Sequence, residues 1–468
     1  MRRLHTVVRR VILTCAAGGF VGCYPTTKSL LDERLPPPSR EPVTKARGPA
    51  AHSGAATGIE RVSFQAPAAS DLVAAKAAPE PLDVDSWVKF AVERNPRIAR
   101  ATIAIDAAQG RYIQAGLYPN PDLAVTWDEI GDRTGNGILM VPKITQTIVT
   151  GKKLTLSQVV AAREVDQTTL DLVTERYSVV ANVRAAFYEA YTLQRRAEVL
   201  AELVKLSEEA AANGKVLFDN KQIARLDLVQ LEVERERFRA DAQAVTKELP
   251  AAYRRLAAVA GDNSLPVPSV SGTFDGLPAY DLEQTRAIVL ATHPEVRAAK
   301  VGVDRAQAAI RRAEVEPIPN VSVYGGFIRQ FENKSYDGAA GVSLPVPVWN
   351  RNQGNIRAAK AELGMAIQTV GRVENDLATR VATAFQTYAA ARERAERYRT
   401  EILPRATETY KLSMEAFKGG QFEYLRVLQA QRAIAEAKLE LNRALGEAWR
   451  SAAELSGLLL EESWPGPR

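Results

Sequence analysis

The chain is poor in the residues that hold metals and cross-links: its 468 residues include 2 cysteines, 3 histidines and 4 methionines. One of the cysteines, Cys15, sits inside an apolar leader and leaves with it, so the mature chain keeps a single thiol and no disulfide framework. Folding must then rest on packing. The histidines are widely separated; His52 falls in an irregular stretch, and His293 is a polar residue before a proline, opposite Asn95 in a repeat described below. No C-x-x-C occurs, and Gly419-Gly420 lacks the following Lys-Ser/Thr of a phosphate loop, so enzymatic chemistry finds no support and no cofactor is implied. Beyond the leader no run is apolar enough for a transmembrane helix, so a chain that spans a membrane does so with strands. A net charge of +6 would suit an acidic partner, yet the basic residues alternate with acidic ones, as in Glu232, Glu234, Arg235, Glu236 and Arg237. Nucleic acid, which needs a clustered basic face, is not an expected partner.

What is present begins with Arg2, Arg3, Arg9 and Arg10, then an apolar core from Val11 to Val21 and Phe-Val-Gly-Cys closing at Cys23. Residues 1–22 read as a secretory signal. The ending resembles a lipoprotein signal, in which Cys23 becomes the acylated N-terminus; an ordinary cleaved signal with an incidental cysteine is the alternative. Residues 23–82, rich in Pro, Ala and Ser, read as a flexible tether.

The rest is organised as a repeat. Val342 to Ala361 passes from period 2 to a period near 3.6, and Ile144 to Arg163 makes the same change 198 residues earlier (342 minus 144). Pro96 matches Pro294, Asp106 matches Asp304, Pro119 and Pro121 match Pro317 and Pro319, and Phe187 matches Phe385 at that one spacing. The expected plan is a first repeat over 83–260, a crossover over 261–280, a second repeat over 281–460 and a tail over 461–468.

Each repeat carries a strand pair. Leu123, Val125 and Trp127 alternate with small or polar residues, and the return strand is read with Ile138, Met140, Ile144 and Ile148 on one face. In the second repeat Val321, Val323 and Phe327 alternate going out, and Val342, Leu344, Val346 and Val348 are read as the return. Strands of roughly ten residues with one apolar face fit a membrane-spanning strand; a half-buried soluble sheet is the other reading. Tyr118, Tyr336 and Trp349 would suit interfacial belts. The following helices, over Leu154 to Val216 and Asn355 to Lys418 with a bend expected at Pro404, are far longer than a typical globular helix. The first would span roughly 90 Å, so it needs partner helices along its length. Pro250 is expected to kink the first return helix.

Four strands cannot close a barrel, and open edges are not tolerated in lipid. Several copies around one axis would close the sheet, three giving about 12 strands, and would set the long helices side by side. The expected fold class is mainly α with a membrane β-barrel: a two-fold internal repeat, a long α-helical barrel, and four β-strands per protomer.

At this point a resemblance becomes specific. The QTIVTGKK and LPVPVWNRNQGNI corners, with Gly151, Asn350, Arg351 and Gly354, and the tip formed by Tyr410, Phe417, Gly419, Gly420, Phe422, Leu425, Val427, Leu428, Ala430 and Gln431 resemble the TolC family of outer membrane efflux proteins. The second corner resembles the CzcC-like branch associated with heavy-metal efflux. The resemblance implies a homotrimer in outer membrane lipid and a twelve-helix periplasmic tube. It also implies docking onto a periplasmic adaptor (membrane fusion) protein and an inner membrane RND-type pump. It places the periplasmic gate near Arg225, Asp227, Gly420, Arg426 and Gln429. Arg426 stands where the family often has an acidic residue and Lys221 where a glycine is expected, so Arg426 would oppose cations, pair with Asp227, or remain a solvated tip charge. Drug efflux and type I protein secretion use the same architecture, and a periplasmic coiled-coil scaffold would explain the helices but not the strands.

Overall fold

The structure is a computed structural model that describes residues 82–128, 137–331, 334–418 and 424–465. Cys23 and Gly420 lie outside the described residues. In chain order the elements are α1 (Val84–Arg94), α2 (Pro96–Gly116), β1 (Asp122–Asp128), β2 (Ile138–Ile148), α3 (Lys153–Asp219) and α4 (Arg225–Ala260). They continue with α5 (Leu282–Thr292), α6 (Pro294–Glu314), β3 (Val321–Gln330), β4 (Tyr336–Ser343), α7 (Gln353–Arg397), a π-helical turn (Tyr398–Ile402), α8 (Leu403–Lys418) and α9 (Tyr424–Leu459). The crossover contains one isolated parallel bridge, between Leu82 and Val270.

The paired short helices start on side-chain caps. Asp83 Oδ1 accepts from Ser86 N at 3.0 Å and Asp281 Oδ1 from Gln284 N at 2.9 Å. Asn95 Oδ1 accepts from Arg97 N at 2.9 Å, and His293 Nδ1 does the same for Glu295 N at 3.3 Å. In each case the next residue is a proline at the first helical position, where no donor is needed. His293 is therefore a helix cap.

The strands form one antiparallel sheet in the order β1-β2-β3-β4, so the hairpins of the two repeats join through β2 and β3. Facing residues share a side of the sheet: Leu123 faces Ile144, Ile144 faces Gly325, and Gly325 faces Ala340. Two expectations are corrected here. The register shifts at Val141-Pro142, where two residues of β2 oppose one on each neighbour. Proline has no N–H to give the ladder, and the bulge it occupies reverses the parity of β2. Leu139 rather than Ile138 and Met140 thus shares the side of Ile144 and Ile148. The return strand of the second repeat also ends at Ser343; Leu344 to Val348, interrupted by Pro345 and Pro347, runs on without a strand partner.

α3 has 67 residues and is about 100 Å long. Toward the sheet it packs between α2 and α6, with α7 beyond α6; toward the other end it packs between α4 and α9, with α8 beyond α9. The result is a layer four helices wide in which α3 runs the whole length. The bend foreseen at Pro404 is a π-helical turn one turn earlier. A proline ring clashes with the carbonyl four residues back and offers that carbonyl no donor, and a widened turn over 398–402 absorbs both defects. Pro250 lies inside α4, which is a single helical element on both sides of it.

Halfway along α3, its aromatic face packs on α9 and the crossover. Trp87, Phe187, Tyr188, Tyr388, Trp449 and Trp464 are buried there, with Tyr188 and Trp449 stacked at 4.7 Å. Arg184 is buried among them: its NH1 donates to Ser456 Oγ at 3.0 Å and to Glu461 O at 3.1 Å, and NH2 donates to Glu462 O at 3.1 Å. Its guanidinium lies 4.7 Å from the Trp464 ring centroid. Burial pulls the Arg184 pKa down, and the nearby carboxylates of Asp85 and Glu461 pull it back. The same burial pushes Tyr188 up to about 12, so its hydroxyl stays protonated while accepting from Trp464 Nε1 at 3.1 Å.

Candidate functional site

The sheet has two unlike faces. One carries Leu123, Val125, Trp127, Ile144, Ile148, Val323, Phe327 and Val342, all exposed in a single copy. The other carries Ala124, Thr126, Thr145, Thr147, Ser322 and Ser343 with the charged residues Asp122, Asp128, Asp337 and Lys143, and Ile138, Met140 and Ile328 near the hairpin ends. On this polar face Lys143 Nζ lies 4.9 Å from the Tyr324 ring centroid. Tyr324 in turn lies over Gly341, where any Cβ would collide with the phenol. Lys143 and Tyr324 were not singled out from sequence. The signal was available, since Lys143 is the one charged residue of β2.

Both strand-to-helix corners meet the Pro317–Asn320 segment. At the first, Gly151 has φ of 66° and an added Cβ would stand 3.0 Å from Ile318. Thr150 Oγ1 donates to Pro319 O at 2.5 Å, and buried Lys153 donates to Asn320 Oδ1 at 3.0 Å with Glu316 at 4.0 Å. At the second, Asn350 Oδ1 accepts from Asn352 N at 3.0 Å, and Arg351 is exposed. The left-handed residue is Asn352, with φ of 59°, and Asn352 Nδ2 donates to Ala313 O at 2.8 Å. Gly354 is an ordinary helical position with open space around it. Asn350 and Asn352 join Lys153, Ile318 and Asn320 around a cavity of about 470 Å³.

At the far end of α3, Lys221 adopts φ of 61°, a conformation usually left to glycine. Asp227 Oδ2 accepts from Ala224 N at 3.1 Å, so its carboxylate closes the start of α4. Arg225 is exposed beside it. On α9, Val427 and Leu428 are buried against Ala211 and Leu231, which leaves Arg426 and Gln429 on the exposed side. The lateral edges of the helical layer are apolar: Leu226, Val229 and Val233 on α4, Ile103 and Ile113 on α2, Met365 on α7 and Leu412 on α8 are all exposed. Among the described residues no group of three or more His, Cys, Asp or Glu could hold a metal ion. No described helix is long and apolar enough to cross a membrane.

The family model described as "Outer membrane efflux protein" matches residues 287–459. The cobalt-zinc-cadmium resistance protein CzcC of Cupriavidus metallidurans is 24% identical over 383 residues, covering 81% of this chain and 90% of that protein. By these two comparisons this chain is similar to outer membrane efflux proteins. The outer membrane protein VceC of Vibrio cholerae superposes with a TM-score of 0.67 at 16% identity, covering 80% of this chain and 95% of that one. CusC, solved for its transmembrane channel formation, superposes with a TM-score of 0.68 at 17% identity over 81% and 92% of the two chains. The mainly helical fold with its antiparallel strands is that of these channels. The proteins it superposes on are an outer membrane protein and one solved for its transmembrane channel formation, and the likeness is one of fold.

Proposed function

We infer that the chain is the exit duct of a tripartite efflux system whose cargo is divalent metal cations. The observation that carries the duct is the four-stranded sheet with one exposed apolar face and two unpaired outer strands, β1 and β4. Lipid offers no partners to such edges, so they pair with further copies. Three copies give about 12 strands, enough to leave a lumen. The apolar edges of the helical layer, α2 and α4 on one side and α7 and α8 on the other, suit a head-to-tail ring. In that ring the polar sheet face lines the lumen, where Asp122, Asp128 and Asp337 outnumber Lys143 and favour cations. The likeness to CzcC supports metal as cargo.

The remaining parts follow the same reading. A periplasmic adaptor and an RND-type inner membrane pump deliver the cargo to the tips of the α3–α4 and α8–α9 hairpins. Arg225, Asp227, Gly420, Arg426 and Gln429 line the constriction there, and acylated Cys23 holds the chain to the membrane. Deleting the gene and challenging cells with cobalt, zinc and cadmium beside a panel of drugs tests the cargo. Sensitivity to the metals, reversed by the intact gene, is expected. Sensitivity to drugs alone would remove metal as cargo and leave the duct. Arg426→Ala is expected to raise cation preference in single-channel recordings; unchanged selectivity would take Arg426 out of the constriction.

A further inference from the structure

The apolar side of the sheet carries a single charge. Among the described strand residues on that side, Arg329 is the only ionised one. It faces Leu139 on β2 and Tyr336 on β4. Its guanidinium carbon lies 5.0 Å from the Phe331 ring centroid and 5.6 Å from that of Tyr336, and Trp127 stacks on Phe331 at 6.1 Å. Asp128 and Asp337 belong to the opposite face. Among the described residues no carboxylate pairs with Arg329 and no acceptor takes its N–H groups.

Position along the strand fixes its surroundings. β3 starts at Val321, next to the helix corners, and Arg329 stands eight residues further on, about 26 Å along the strand. At the strand tilt of about 35–45° in outer membrane barrels that is roughly 20 Å of height, the upper part of an apolar band about 25 Å tall. In the proposed duct the helices lie in the periplasm, so Arg329 lies toward the outer rim, where aromatic rings settle among headgroups and an arginine is tolerated. With rings over the guanidinium and no acceptor on its N–H groups among the described residues, its edge offers parallel N–H groups matched to a phosphate.

We propose that Arg329, framed by Trp127, Phe331 and Tyr336, seats the phosphate of an anionic lipid headgroup in the outer leaflet. Exposed Phe327 and Val141 below it receive the acyl chains. The proposal rests on the reading of the apolar sheet face as lipid-facing.

The test uses the full chain purified in detergent, with lipid retention followed by native mass spectrometry. The probes are diphosphorylated lipid A and the same lipid stripped of its phosphates. The wild-type protein is expected to retain the phosphorylated lipid preferentially. Arg329→Gln should weaken that retention about tenfold, the usual scale of a lost charge-assisted hydrogen bond. Arg329→Lys should fall between, and neither variant should alter retention of the stripped lipid. The proposal is overturned if Arg329→Gln retains the phosphorylated lipid as well as wild type does. It is also overturned if the wild type does not distinguish the two lipids, a comparison independent of any variant's folding, or if excess inorganic phosphate displaces the bound lipid. A wild-type protein that stays soluble without detergent and takes up neither lipid overturns the lipid-facing reading together with this one.

Discussion

Replacing Arg184 with methionine removes the buried cation that holds the end of the chain. Three hydrogen bonds are lost, to Ser456 Oγ, Glu461 O and Glu462 O, with the stacking on Trp464. Bonds to charged groups are worth about 1.5–3 kcal/mol each. Part of that sum is returned because the mutant no longer desolvates a guanidinium, which burial already disfavours here. A net local loss of about 3 kcal/mol remains, equivalent to roughly 100-fold in an opening equilibrium. The loss falls on the segment after α9, because Trp464 keeps its own bond to Tyr188 and its contact with Trp449. Hydrogen exchange reads it directly: the amide of Leu460 donates to Gly457 O and that of Glu461 to Ser456 O. Both should exchange roughly 100-fold faster in Arg184→Met, while Ala444 and Ala448, buried mid-helix, keep their protection. Unchanged exchange at Leu460 and Glu461 would refute the reasoning and show that aromatic packing alone secures the segment.

Lys143→Gln removes the one positive charge among the described strand residues of the polar sheet face; reversal potentials in a salt gradient should shift toward cations, most clearly at low ionic strength, and no shift would place Lys143 away from the conducting path. Serine at Leu226, Val229 and Val233 strips the exposed stripe of α4; with about 1.5–3 kcal/mol per buried side chain, the assembly should fall to single copies on light scattering in detergent, and an intact oligomer would count against that edge. Burial holds His293 below its ordinary 6.5, with Glu295 and Arg380 as its charged neighbours. Unfolding lets it take up a proton, so its contribution to stability is complete above pH 6.5 and is lost as the pH falls toward the folded value. His293→Asn, which installs the residue of the first repeat, should flatten that dependence in acid melting curves; an unaltered profile would point to another group.

The helices and strands were legible because their period carries them. α1 and α5 are both 11 residues long, α2 and α6 both 21, and each pair starts 198 apart. What the pattern hid is non-local or conformational. The joining of β2 to β3 pairs residues about 180 positions apart, and no local preference announces such a contact. The bulge at Val141-Pro142 reverses which residues of β2 share the apolar side of the sheet, although Pro142 was in plain view as a residue without a donor. At the second corner the glycine drew attention, while the left-handed residue is Asn352, whose short amide tolerates that conformation. Of the gate candidates, Asp227 spends its carboxylate on the start of α4, a capping role that its place three residues after Ala224 allowed.

The margins of the sheet are shorter than its middle: β1 has 7 residues and β4 has 8, against 11 and 10 for β2 and β3, and two prolines follow where β4 stops. In the proposed duct a newly exported chain must cross the aqueous periplasm before it meets its siblings, and long bare margins would invite it to zip onto any passing strand. Brief, proline-guarded margins make such errors shallow and reversible. The same brevity would leave the seams between copies as the thinnest lines of the proposed wall.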